Sequence, residues 1–159
     1  MAEGRSRSAS GARATGPIDY ATLADLRYRI RRFLRSREVA ARAAGVEPQQ
    51  YLALLQIKGL ERRGAATIGM LAERLQIHHH AAVQLIDRLA QRHMVDRRRD
   101  GEDRRQVVVV LRPAGEAVLR RLVLYSLAEL KTEGPALVAS LRRLVNKSTR
   151  AGRSPAKVR

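Results

Sequence analysis

The sequence predicts a mainly α-helical protein with one small β-hairpin, an α+β class in which helices dominate. Three observations lead there. Apolar residues recur at helical spacing along most of the chain. One β-branched run, QVVVVL at 106–111, breaks that period. Aromatics are 3% of the residues, so Leu, Val, Ile and Ala must build the core. At 159 residues the chain suits one domain with a substantial core.

Each element has its own local signal. Residues 1–17 are rich in Ser, Gly, Ala and Arg and read as a disordered basic arm ending at Pro17. From Asp19, Leu23, Leu26, Ile30, Phe33 and Leu34 form one stripe with arginines opposite, and Gly45 caps this first helix. Pro48 suits the first turn of a second helix, where its missing N–H would be unpaired anyway. Thr67 is an N-cap for a short third helix carrying Ile68, Leu71, Ala72 and Leu75 on one face. A tight turn at Gln76-Ile77 leads to a fourth, HHHAAVQLIDRLAQR, with His78 at its N-cap and Ala82, Leu85, Ile86 and Leu89 facing a core.

After Met94 the period changes. Met94–Arg99 pairs with 106–111 as a hairpin turning at Asp100-Gly101, where glycine tolerates a positive φ. Pro113 opens a long helix through Val118, Leu122 and Tyr125 to about Lys131, and Gly134-Pro135 breaks it. A last helix places Leu137, Val138, Leu141, Leu144 and Val145 on one stripe, and the Ser/Arg/Lys tail after Asn146 reads as disordered. No internal repeat is present.

Charge narrows the function. The net charge is +17; residues 1–18 contribute +2 and residues 146–159 contribute +5, leaving +10 for 19–145. A folded region this basic points to a polyanionic partner, nucleic acid first. An anionic membrane is less well supported, with one Phe and no Trp. The N-terminus has no apolar segment for a signal peptide, and no apolar run approaches the roughly 18 residues of a spanning helix. Absence of cysteine excludes disulfides, thiolate metal sites and thiol switching, and fits a cytoplasmic location.

Two short helices joined by a tight turn and followed by a charged hairpin make a winged helix-turn-helix. In that motif the second helix enters the major groove of DNA and the wing reaches the adjacent minor groove. Residues 67–115 resemble the core of the MarR (multiple antibiotic resistance regulator) family: LAERL, IDRL, the D-x-R of Asp103 and Arg105, the strand and Gly115 fall at that family's spacing. The resemblance implies a DNA-binding lobe at about 47–112 and dimerisation helices at about 18–44 and 113–146, a winged helix-turn-helix domain over 18–146, with disordered segments at 1–17 and 147–159. It implies a homodimeric, sequence-specific transcription regulator, acting as a repressor on a pseudo-palindromic operator. The alternative within the same chemistry is a non-specific architectural or nucleoid DNA-binding protein.

By the same resemblance Arg105 is the minor-groove reader and Asp103 holds it in position. A fixed guanidinium loses less rotamer entropy on binding, and a narrow A·T-rich groove attracts it. Arg98, Arg99 and Arg104 are then phosphate contacts. On the recognition helix, His78, His79, His80, Gln84 and Arg88 lie off the apolar stripe and are assigned to the groove, together with Thr67 at the start of the third helix. His93 stands where the family usually has a helix-ending glycine, so the turn there is expected to be either strained or differently shaped.

Three consecutive histidines do not make a metal site, because adjacent helical positions point about 100° apart. Charge gained by histidine on acidification would add to the groove-facing surface, so acid tightening of DNA binding is a further expectation. Family members often release DNA to a small aromatic or anionic effector; Arg27, Arg31, Tyr51 and Leu55 are the residues assigned to that pocket. No enzyme is expected. Ser126 sits mid-helix without a strand-turn-helix elbow, and neither a phosphate loop nor metal-ligand spacing occurs, so no cofactor is expected either.

Overall fold

The computed structural model describes residues 19–61, 64–99 and 107–151, with side chains up to Asn146. Five helices and a two-stranded sheet follow in the order α1 (Tyr20–Ala43), α2 (Pro48–Glu61), α3 (Ile68–Leu75), α4 (His79–Gln91), β1 (Val95–Arg99), β2 (Val107–Leu111) and α5 (Pro113–Ala151). No helix among the described residues is long and apolar enough to cross a membrane. The Asp100-Gly101 turn, Asp103, Arg104, Arg105 and the segments 1–18 and 152–159 lie outside the described residues.

Local chemistry sets most boundaries. The Asp19 carboxylate accepts from the Thr22 N–H at 3.0 Å and so caps α1. At the other end Gly45 takes φ +78°, its N–H reaching the Arg42 carbonyl and that of Val46 the Ala41 carbonyl. Arg92 donates to the Gly45 carbonyl at 2.6 Å and to Gln50 at 2.9 Å, so this arginine is spent on a helix end. Helix α2 starts at Pro48.

The chain divides into two compact units, one comprising the described residues up to Arg31 with those from Gly134, the other residues 32–133. The second unit is the larger. Leu54, Ile57 and Leu60 of α2, Leu71 of α3, Ile86 and Leu89 of α4, and Val95 and Val109 of the sheet are fully buried there. Each such side chain contributes roughly 1.5–3 kcal/mol through burial. The strands pair antiparallel, with Val95 opposite Leu111 and Arg99 opposite Val107. The Val109 N–H also reaches the Ala66 carbonyl at 2.8 Å, tying the sheet to the entry of α3. At the hairpin base the Arg112 N–H donates to the Met94 carbonyl at 2.9 Å, and buried Gly115 lies so close that a Cβ there would overlap that same oxygen.

A polar cluster also lies within this unit. Arg37 is buried, with its guanidinium over the Phe33 ring and bonded to Glu129 at 3.0 Å and the Ser126 carbonyl at 3.1 Å. Burial lowers its pKa, and the Glu129 carboxylate opposes that shift. Ser36 completes the cluster by donating to Glu129 at 2.6 Å and pairing with the Tyr125 hydroxyl at 2.7 Å.

In the smaller unit Ser140 is fully buried and donates to Asp25 at 2.9 Å, which also receives Arg29 at 2.9 Å. These bonds, Arg29's first, hold the Asp25 carboxyl below its usual range. Their contribution is therefore present above the ordinary carboxylate pKa and is lost on acidification. Leu23, Ile30, Val138 and Leu141 stay 41–50% exposed in the single chain.

Two expectations are corrected. Gly134-Pro135 does not break the helix: α5 is continuous with Pro135 inside it, and it runs past Asn146 to Ala151. An interior proline costs about 3 kcal/mol through a lost N–H bond and ring crowding. Here the turns on either side are held within their own units, by Leu119 and Leu122 before it and Ser140 after it. The proline falls at the division between the units instead.

The strained alternative holds at His93. Its φ is +54°, with its N–H on the Ala90 carbonyl and the Met94 N–H on that of Leu89, the geometry that glycine adopts freely. His93→Gly should raise the unfolding free energy by about 0.5–1 kcal/mol, relieved strain outweighing the added flexibility of the unfolded chain. Urea denaturation measures this, and a lower midpoint would contradict it.

Candidate nucleic-acid interface

The site is built on the α3–turn–α4 pair and the hairpin, all within the larger unit. Thr67 caps α3, its hydroxyl accepting the Met70 N–H at 3.3 Å. Gln76 takes φ +54° and ends α3, with its N–H turned back to the Ala72 and Glu73 carbonyls. Two residues later His78 occupies the N-cap of α4 with no side-chain capping bond, leaving its imidazole outward. Buried Ala82, Leu85, Ile86 and Leu89 fix which side of α4 faces the core. The opposite side is therefore presented to solvent, with His79, His80, Gln84 and Arg88 exposed. The rings of His78 and His80 stack 5.6 Å apart and within 7° of parallel.

The hairpin stands beside this helix. Thr67, Ile68 and Gly69 at the entry of α3, His79 and Val83 of α4, Arg97 of β1 and Val107 of β2 line one depression of about 510 Å³. The histidine-led start of α4 and the hairpin thus open onto the same side of the molecule. Arg98 and Arg99 are exposed on β1.

Of the residues assigned to DNA from sequence, Thr67 and His79 share this depression. His78, His80, Gln84 and Arg88 are exposed on the helix that borders it, and Arg98 and Arg99 on the strand. The residues assigned to an effector are placed differently. Arg27 and Arg31 are exposed on α1 and Leu55 is 37% exposed on α2. Tyr51 is 5% exposed and belongs to the core, its hydroxyl 3.3 Å from that of Ser126. The first turn of α2 carries Tyr51 inward to this packing position.

Arg97 and Asp87 are not among the residues assigned to DNA from sequence. Arg97 donates to the Asp87 carboxylate at 2.6 Å and to the Val83 carbonyl at 3.2 Å, joining β1 to α4. Strand alternation was the available signal: Val95 faces the core, so Arg97, two residues on, shares its face. Among the described residues no cluster of three or more His, Cys, Asp or Glu could hold a metal ion.

This arrangement defines a winged helix-turn-helix protein. Residues 44–106 match the model of the MarR family. Over that segment the chain is similar to the MarR family. Solved structures agree in fold. MepR, a transcription regulator of the Staphylococcus aureus multidrug efflux pump MepA, superposes with TM-score 0.67 at 14% identity, covering 81% of this chain and 98% of that one. Wild-type MarR of E. coli in its apo form gives 0.60 at 23% identity, covering 82% and 96%. Bordetella bronchiseptica BpsR, whose DNA binding is regulated by 6-hydroxynicotinic acid, gives 0.58 at 21% identity, covering 84% and 98%. No curated protein sequence matches the chain.

Proposed function

We propose that this protein is a sequence-specific transcription regulator that binds duplex DNA as a homodimer and represses from a pseudo-palindromic operator. One observation carries the reading: the solvent side of α4 and the hairpin border a common depression on one side of a strongly basic chain. A helix presented beside a wing suits simultaneous contact with a major groove and the neighbouring minor groove. Exposed Leu23, Ile30, Val138 and Leu141 support a second copy as partner, since apolar surface of this kind favours burial. Two-fold pairing would separate the recognition helices by roughly 34 Å, one turn of DNA. Release by a small aromatic or anionic effector is the regulatory half of the proposal, supported by the behaviour named for BpsR.

Competition with random DNA across a salt series tests the proposal. A specific regulator keeps a preference of about 10³ or more for its operator. Near-equal affinities with a steep salt slope, about −0.9 per phosphate neutralised, would instead establish non-specific architectural binding. Removing residues 147–159, which carry five basic residues and no acid, should flatten the salt slope and leave sequence preference within about twofold. A collapse of preference after that deletion would contradict the division of labour between tail and folded site.

A further inference from the structure

Asp87 is the only carboxylate on α4, on a helix otherwise suited to a polyanion. Taken alone it would repel phosphate. Its oxygen instead lies 2.6 Å from Arg97, whose guanidinium also bonds the carbonyl of Val83, one helical turn earlier. Both contacts run from one nitrogen, Nη2, so the end of the Arg97 side chain ties β1 to two points a helical turn apart on α4. The same pairing neutralises the arginine in the lining of the depression, which is exposed like the neighbouring Arg98 and Arg99.

We propose that the Arg97–Asp87 pair is a specificity device: a strut that holds the wing against the recognition helix and withholds one cation from indiscriminate phosphate binding. The proposal rests on the DNA-binding reading above and adds positioning residues to it. Neither residue needs to touch a base. Asp87 acts through Arg97, and Arg97 through the placement of β1 beside α4. Loss of the carboxylate frees a guanidinium for backbone phosphate, so affinity for random DNA rises while affinity for the operator does not keep pace.

The test uses the full-length chain, its selected operator and a random duplex of equal length, each titrated across a salt series. For Asp87→Asn the salt slope on random DNA should steepen by about 0.9, one added phosphate contact. The operator-to-random ratio should fall about fivefold, the upper range for an exposed ion pair. Asp87→Glu should restore both. Arg97→Gln removes the charge and the strut together, so it should lower the ratio as well; it also serves if Asp87→Asn does not fold. A wild-type protein that discriminates, with variants that discriminate equally and show unchanged slopes, overturns the strut while leaving the DNA-binding reading intact. A wild-type protein that does not discriminate overturns both.

Discussion

Arg105→Ala is expected to weaken operator binding by about tenfold or more while leaving dimerisation unchanged. Loss of a base-reading arginine typically costs about 1–3 kcal/mol. The paired strands end at Arg99 opposite Val107, and in the sequence DRRRDGEDRR concentrates its charge just there. An arginine there can sense the enhanced negative potential of a narrow A·T-rich minor groove. Asp103, two residues before it, would order the guanidinium in advance and limit repulsion among neighbouring arginines. The loss should accordingly be larger on operators with an A·T-rich flank than on those without. Fluorescence anisotropy on both operator types measures it. Uniform loss across all sequences would reduce Arg105 to one more phosphate contact.

Gly115→Ala is expected to destabilise the protein by about 3 kcal/mol, the upper end of ordinary overpacking penalties. Its cause is local. Helix α5 begins against the base of the hairpin, and a Cβ at this position would overlap the Met94 carbonyl oxygen, itself the acceptor for the Arg112 N–H. The clash is with backbone, so no rotamer change relieves it. Either the first turn of α5 lifts away or the hairpin base moves, and both would disturb packing around Val95 and Leu119. Thermal or urea denaturation measures the loss, and operator affinity per folded molecule should fall with it because the hairpin shifts relative to α4. An Ala variant as stable as the parent would show that α5 can settle elsewhere.

Much of this architecture was legible in the sequence because the relevant signals are local. Thr67, Pro48 and Gly45 act through their own backbone chemistry, and the Ala82–Leu85–Ile86–Leu89 stripe needs only the helical period. The strand run at 107–111 was legible for the same reason. Pro135 was misleading because its cost is local while what outweighs it is tertiary: contacts made by the two ends of α5 within separate units. Tyr51 was ambiguous for a related reason, since a tyrosine at a helix start can face either way until its neighbours are placed. The Arg97–Asp87 bridge joins residues ten apart on different elements. Charge counting could not separate a strut from a phosphate contact, and only the register from Val95 distinguishes Arg97 from Arg98.

The most direct measurement selects fragments of the source genome bound by the protein and reads their sequences. The account predicts a shared inverted repeat, its half-site centres one turn of DNA, about 10 base pairs, apart. Bound fragments with no common motif, recovered in proportion to their abundance, would contradict it.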